Sequence, residues 1–119
     1  MKLYESGEMY LEAIYVLLKD NPNVRSIDVA NFTGYSKPSV SRAVGLLKKA
    51  NLILVSEEGY LSFTEEGSNL AERIFRRHTI LTEFFVKLGV PEEIASEDAC
   101  KIEHIISDET FNAIKKVFE

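Results

Sequence analysis

A glycine-containing turn at residues 33–35 separates two short helical segments, and this pattern constrains the fold more than any other feature of the chain. Ser26 is expected to cap a first helix over Ile27–Phe32. Ser36 is expected to cap a second helix, whose first turn tolerates Pro38 because proline fits the start of a helix. Two short helices joined by such a turn are the sequence pattern of a helix-turn-helix.

The segments on either side complete a winged helix-turn-helix. A preceding helix is predicted from about Gly7 to Lys19, because apolar side chains recur on one of its faces. After the second short helix, Leu52–Ser56 is β-like, residues 57–59 form a turn, and Tyr60–Phe63 alternates between two faces. This hairpin is the expected wing. The first predicted domain therefore covers residues 1–72.

Residues 73–119 are predicted to form a helical segment. Thr64 caps a long helix that ends near Leu88, before Gly89. Pro91 opens a short helical turn, and Ser96 caps a helix through about Ile106. Ser107 starts a last helix. The apolar side chains of this segment exceed what a short helical tail can bury alone, which favours a homodimer. They include Phe84, Phe85, Leu88, Ile105, Ile106, Phe111, Ile114 and Phe118.

The charge distribution separates the two predicted domains. The chain of 119 residues has a net charge of −5, which by itself argues weakly against binding to nucleic acid. Residues 1–80 hold ten Lys or Arg and ten Asp or Glu, whereas residues 81–119 hold four and nine. Residues 36–49 carry four basic side chains and no acid. Ordinary scatter would also give this pattern, but it fits a DNA-reading domain joined to a cation-binding one.

The second short helix has the two faces that a recognition helix needs. Its core face is predicted to carry apolar side chains, and its other face small and basic ones that suit a DNA groove. Arg42 suits a bidentate contact with guanine. The alternative is a capped surface helix in a winged-helix domain that binds protein. The wing tip, Glu57-Glu58, is acidic and would repel phosphate, so it should contribute little to DNA affinity. The candidate DNA-binding residues are Ser36, Lys37, Pro38, Ser39, Ser41, Arg42 and Lys49.

A candidate metal site lies in the predicted helix over residues 96–106. Cys100, Glu103 and His104 stand at positions i, i+3 and i+4, so that a thiolate, a carboxylate and an imidazole are expected on one helix face. Such a combination suits a transition metal. A buried cysteine beside a structural Glu-His pair is the alternative. Met9, Glu12 and His78 do not indicate a metal site when taken singly: a methionine there is more often a packing residue, and a helix histidine is more often held by ordinary hydrogen bonds.

Five ordered segments together resemble the family of iron- and manganese-dependent repressors, which includes the diphtheria toxin repressor and the manganese transport regulator. The similarity extends over essentially the whole chain and includes a Cys-x-x-Glu-His motif. The segments are Glu8–Tyr15, Ser36–Ser41, Leu61–Gly67, Arg77–His78 and Glu97–Glu109.

The resemblance implies a winged-helix homodimer that binds palindromic operator DNA when it is loaded with metal. It implies that Met9, Cys100, Glu103 and His104 are the primary ligands, as in the iron-responsive branch. Glu12 matches a ligand of the manganese branch, and His78 matches a metal-binding histidine of both.

The chain departs from the family pattern at three points. Thr82 stands where the family usually has Glu, and Ser96 stands where the iron branch has His, so the ancillary metal site of that branch is in doubt. The SH3-like C-terminal domain of the iron branch is not expected before the chain ends at Glu119.

The expected cofactor is Fe²⁺ or Mn²⁺, with Co²⁺ and Ni²⁺ as surrogates. A thioether and a thiolate favour Fe²⁺, whereas the carboxylate of Glu12 favours Mn²⁺. A regulator that senses oxidation through Cys100, or a small ligand, is the main alternative; a winged-helix module that binds no DNA is another. An enzyme using Cys100 and His104 is not expected, because no oxyanion loop or orienting third residue is evident.

The expected compartment is a reducing cytoplasm, because a single cysteine cannot form an internal disulfide. The sequence contains no run of about 18 apolar residues, so no membrane span is expected.

Overall fold

A computed structural model describes residues 5–118 of the chain, and the side chains of residues 6–118. The ends of the two predicted domains, residues 1–4 and Glu119, lie outside the described residues. The prediction of a mainly helical chain with a hairpin wing is confirmed. The elements, in order, are α1 (Glu5–Asp20), α2 (Ser26–Thr33), α3 (Lys37–Lys49), β1 (Ile53–Val55), β2 (Leu61–Phe63), α4 (Glu65–Lys87), α5 (Glu92–Ile102) and α6 (Asp108–Phe118).

The chain forms two compact units that divide between Glu72 and Arg73, inside α4. In the first unit, α1, α2 and α3 pack against one another as the helix-turn-helix requires. Their apolar faces form a core whose side chains are almost completely buried. Removing this apolar surface from water is the main source of the free energy that stabilises the fold. That core includes Leu11, Ile14, Val29, Val40 and Leu47.

The caps of α2 and α3 show where local sequence reasoning works and where it does not. Ser26 is not the cap of α2, because the helix already begins at that residue; the backbone N–H of Arg25 instead donates to the Asp28 carboxylate at 2.8 Å. Ser36 caps α3 as predicted, with its hydroxyl accepting from the Ser39 N–H at 3.3 Å. Between them, Gly34 takes φ = +79°, a conformation that favours glycine.

The wing is a two-stranded antiparallel hairpin. Ile53 pairs with Phe63 and Val55 with Leu61, and the turn closes at a left-handed Gly59. The predicted strands, Leu52–Ser56 and Tyr60–Phe63, are therefore slightly longer than the observed ones.

The hairpin joins α4 through a cap and a close backbone approach. The Thr64 hydroxyl accepts from the Gly67 N–H at 3.0 Å, which confirms the predicted helix start. A side chain at Gly67 would collide with the backbone carbonyl of Leu52. This glycine therefore lets the first turn of α4 pack closely against the start of the wing.

The second unit packs α4, α5 and α6 around its own apolar core. Leu81, Ala99 and Phe111 are buried at its centre, and partly buried side chains including Phe85 and Ile114 surround them. The long helix ends before Gly89, as predicted. Residues 5–118 contain no helix with both the length and the apolar character that crossing a bilayer requires.

The prediction for α5 is wrong at both ends. Ser96 does not cap it, because the helix starts at Glu92 after Pro91 and runs through Ser96 without a break. Proline at the cap and two acidic residues in the first turn both favour the earlier start. The helix ends at Ile102 and not at Ile106, so Glu103 is the C-terminal cap and His104 lies in the turn that follows.

Candidate metal centre and nucleic-acid interface

The second unit contains a carboxylate that lies between two imidazoles. Glu103 Oε2 is 3.1 Å from His78 Nδ1, and Glu103 Oε1 is 3.0 Å from His104 Nε2. The side chains of Glu103 and His104 are 0% exposed, and that of His78 is 21% exposed. Burying a charged carboxylate costs several kcal/mol unless its oxygen atoms are paired, and here both oxygens face an imidazole nitrogen.

The backbone explains how these three residues meet. His78 lies in the middle of α4, whereas Glu103 and His104 follow α5 directly. The Glu103 N–H still donates to the Ala99 carbonyl at 2.9 Å, so the first residue after the helix keeps the position of a helical one. Sequence positions 78 and 103 therefore come together through packing of α5 on α4, which no local pattern indicates.

The donor set fits a divalent transition metal. Neutral imidazole nitrogen and carboxylate oxygen are the ligands that Fe²⁺, Mn²⁺, Co²⁺ and Zn²⁺ share in proteins. The nitrogen atoms that face the Glu103 carboxylate, Nδ1 of His78 and Nε2 of His104, are the atoms that would hold the ion. Metal binding requires these nitrogen atoms to be free of protons.

Two hydroxyl groups contact His78. They belong to Thr82 and Ser96, the two residues at which the sequence departs from the family pattern. Ser96 Oγ lies 3.4 Å from His78 Nε2, the nitrogen that faces away from Glu103. Thr82 donates its hydroxyl to the carbonyl of His78 at 2.8 Å. Neither side chain is a carboxylate or an imidazole, and Ser96 contacts the far edge of a candidate ligand.

Cys100 has a different environment from the two residues that follow α5. It lies on α5 and is exposed, whereas the side chains of Glu103 and His104 are buried. The expectation that thiolate, carboxylate and imidazole share one helix face assumed a helix through Ile106. Because α5 ends at Ile102, the three residues do not belong to one helix.

The other two candidate ligands, Met9 and Glu12, lie on α1 in the first unit, and both are half-buried. Met9 Sδ is 4.0 Å from the hydroxyl of Tyr35, the residue directly before the cap of α3. The Tyr35 ring also packs on Tyr10, with ring centroids 5.7 Å apart. A candidate metal ligand thus contacts the turn of the helix-turn-helix, a connection that sequence reasoning missed.

The exposed face of α3 carries the candidate DNA-binding residues. Val40, Val44 and Leu47 are buried, so the opposite face is open to a partner. Ser39 is half-buried beneath the Ser36 hydroxyl, at 2.9 Å. The candidates that are exposed are Ser36, Lys37, Pro38, Ser41, Arg42 and Lys49.

The wing has acidic side chains in its turn and a cation packed against the residue that follows Gly59. Glu57 and Glu58 are exposed at the turn. The Arg25 guanidinium lies over the Tyr60 ring, 4.5 Å from its centroid. Most of the basic side chains in the described part of this unit lie on α3, namely Lys37, Arg42, Lys48 and Lys49.

A winged helix-turn-helix with an exposed basic helix, followed by a helical unit with a buried Glu-His cluster, defines a class: winged-helix regulators of transcription that respond to metal. Residues 2–63 match the model of the iron dependent repressor N-terminal DNA binding domain, and residues 64–119 match the iron dependent repressor metal binding and dimerisation domain. The chain belongs to the iron-dependent repressor family.

Individual relatives agree with this assignment. The transcriptional regulator MntR of Escherichia coli O6:H1 is 35% identical over 106 residues, which cover 89% of this chain and 68% of MntR. The iron-dependent repressor IdeR of Mycobacterium tuberculosis H37Rv is 30% identical over 117 residues, 98% of this chain and 51% of IdeR. The structure of the manganese regulator SloR superimposes with a TM-score of 0.81 at 26% identity, covering 98% of this chain and 54% of SloR.

These relatives are named as regulators and repressors, not as enzymes. The chain spans about half the length of IdeR and SloR.

Proposed function

We propose that this chain is a metal-dependent transcriptional repressor that binds operator DNA as a homodimer, in the cytoplasm, when it is loaded with Fe²⁺ or Mn²⁺. The observation that carries the proposal is the buried Glu103 carboxylate between the imidazoles of His78 and His104. Burying two histidines and a carboxylate in an apolar core is costly, whereas a divalent cation needs such a donor set.

The proposed ligand set extends beyond these three residues. Met9, Glu12 and Cys100 are included because they occupy positions that ligands occupy in the family pattern. Their chemistry decides which metal is preferred, since sulfur favours Fe²⁺, Co²⁺ and Ni²⁺ over Mn²⁺, and carboxylate favours Mn²⁺.

Metal choice is tested by exchanging the sulfur ligands. The double substitution Met9→Asp, Cys100→Glu is expected to shift the preference towards Mn²⁺, as measured by competition between Mn²⁺ and Co²⁺. Cys100→Ala is the simpler control. If Cys100→Ala binds Co²⁺ as wild type does, and the wild-type Co²⁺ complex lacks a thiolate charge-transfer band, then Cys100 is not a sulfur ligand and the argument for Fe²⁺ over Mn²⁺ is wrong.

DNA binding is assigned to α3. An α-helix fits the major groove, and exposed cations with a hydroxyl-capped helix start suit base edges and phosphates. We propose that Arg42 reads a base and that Lys37 and Lys49 contact phosphates. Ser36, Pro38, Ser39 and Ser41 would let the helix start approach the groove closely.

The proposed link from metal to DNA begins at Met9. Its sulfur contacts Tyr35, and Tyr35 adjoins the residue that caps α3. Metal affects DNA binding only through its different affinity for the DNA-competent and incompetent states. By the same linkage, operator DNA should tighten metal binding.

The homodimer is proposed from the matched dimerisation domain and from apolar side chains that the second unit leaves exposed. Exposed apolar patches on a small unit mark interaction surfaces. These side chains are Val86, Leu88, Ile94, Ile105 and Val117. Sedimentation equilibrium at micromolar concentration should give a dimer, and a monomer under all metal conditions would contradict it.

The central experiment selects DNA from a random duplex library under anaerobic, reducing conditions. With Fe²⁺ or Mn²⁺ we expect enrichment of an inverted repeat, because a two-fold symmetric dimer reads two half-sites. The selected duplex then reports affinity with each metal and with chelator. Equal affinity under both conditions would overturn the proposal, and dependence on thiol oxidation instead of metal would favour a redox regulator.

A further inference from the structure

Arg77, the residue before His78 on α4, makes three contacts with the segment that follows the proposed ligands Glu103 and His104. Its Nη2 donates to the Ile106 carbonyl at 3.0 Å, and its Nη1 lies 3.1 Å from the Asp108 carboxylate. Its guanidinium also lies over the Phe111 ring, 4.9 Å from the centroid. One side chain thus holds the end of the turn and the start of α6.

The backbone N–H groups of the turn donate back into the end of α5, as that of Glu103 does to the Ala99 carbonyl. Beyond the end of α5, the N–H groups of Ile105 and Ile106 both donate to one carbonyl, that of Ile102. The carbonyl of Ile106 lies where no helix continues, so it depends on a side chain or water for a partner. Arg77 supplies that partner from α4.

We infer that Arg77 is a positioning residue for the metal centre: it holds the turn over residues 103–107 so that the Glu103 carboxylate faces the His78 imidazole. This rests on the proposed metal site. Adjacent residues of α4 secure this segment at two points, Arg77 at its far end and His78 at Glu103. The planar guanidinium can donate to two acceptors at fixed angles while stacking on a ring, which a lysine ammonium cannot do.

The Asp108 contact is the least important of the three. The Asp108 side chain is 90% exposed, and exposed ion pairs contribute little to stability. The carbonyl of Ile106 and the ring of Phe111, which is 9% exposed, are the restraints that matter. If Arg77 positions the turn, losing its contacts with Ile106 and Phe111 matters more than losing the ion pair with Asp108; if only its charge matters, the ion pair is the main contact.

The test is titration of the full chain with Co²⁺, whose visible bands report coordination geometry. Arg77→Lys and Arg77→Ala are expected to weaken Co²⁺ binding by about tenfold or more, the effect of losing a residue that orients ligands, and to shift the bands. Asp108→Asn should change affinity less than threefold. Arg73→Ala, which removes an exposed arginine one helical turn earlier, should have no effect.

Hydrogen exchange of the metal-free protein gives a second readout. Arg77→Lys should raise exchange at the amides of residues 103–107, and Asp108→Asn should not. Wild-type Co²⁺ affinity, bands and exchange in Arg77→Lys would overturn the inference, even if Arg77→Ala failed to fold. Glu103→Gln in the same titration tests the proposed site separately: if that variant binds Co²⁺ as wild type does, the site itself is wrong.

Discussion

The two units place their candidate functional side chains in opposite environments. In the first, the candidate DNA-binding cations Lys37, Arg42 and Lys49 lie on the exposed face of a helix whose other face is apolar core. In the second, the Glu103 and His104 side chains are completely shielded from solvent. Exposed charges can change with little effect on folding, whereas buried ones are part of what the fold must accommodate.

This difference separates function from stability in one unit and couples them in the other. A surface that recognises DNA must remain hydrated until its partner arrives, because its charges are neutralised by phosphate. A metal centre gains from excluding water and from ligands that are held in place. Substitutions of the exposed cations should therefore change DNA binding alone, whereas substitutions of the buried ligands should change both metal binding and stability.

The largest expected effect is at Glu103. Glu103→Gln should lower the affinity for Co²⁺ or Mn²⁺ by roughly 100-fold or more, because even residues that only orient a ligand contribute about 10- to 100-fold. Isothermal titration measures it. Glu97→Gln removes the same charge from an exposed position on α5 and should leave the affinity unchanged; equal losses in both variants would indicate a general charge effect.

Substitutions at Arg42 and Lys49 test whether the first unit binds DNA through side chains that do not contribute to folding. Arg42→Ala should lose about 1–3 kcal/mol of discrimination between the selected duplex and random DNA. Lys49→Ala should weaken both DNAs alike and reduce the salt slope by about one unit. Anisotropy titrations at several salt concentrations measure these effects, and thermal unfolding should be unchanged. Equal loss on both DNAs in Arg42→Ala would remove its base-reading role.

Two glycines of the first unit test where its backbone is constrained. Gly67→Ala should lower the free energy of unfolding by about 1–3 kcal/mol, the usual cost of overpacking, because the new methyl group meets the Leu52 carbonyl. Gly45→Ala on α3 meets no atom within 4 Å and should instead stabilise the helix by about 0.5–1 kcal/mol. Denaturant unfolding measures both, and similar values would contradict the close approach at Gly67.

The smallest expected effect is at Tyr35. Tyr35→Phe removes the hydroxyl near Met9 Sδ and keeps the ring that packs on Tyr10. If the sulfur also binds metal, the hydroxyl competes for it, so Co²⁺ affinity should rise about twofold to threefold, at the low end for one hydrogen bond. Tyr10→Phe is the control. Unchanged or weaker Co²⁺ binding in Tyr35→Phe would argue against this link between the ligand and α3.

Sequence reasoning identified most of the elements because their signals are local. The Ser36 cap, the turn at Gly34, the wing and the end of α4 before Gly89 each depend on residues within a few positions of one another. The exposed face of α3 followed from helical periodicity. The predicted helix boundaries were wrong where two local signals competed. Ser96 could cap a helix, but Pro91 and the acidic residues after it start α5 earlier.

The sequence by itself determined that a winged helix precedes a helical unit, and which residue types are candidates for metal and DNA. Only the tertiary structure decided that His78 and His104 flank Glu103, that Arg77 holds the turn after it, and that Cys100 is exposed. The physical reason is the range of the interactions. Caps and periodicity act over about four residues, whereas the Glu103 centre joins side chains 25 positions apart through the packing of one helix on another.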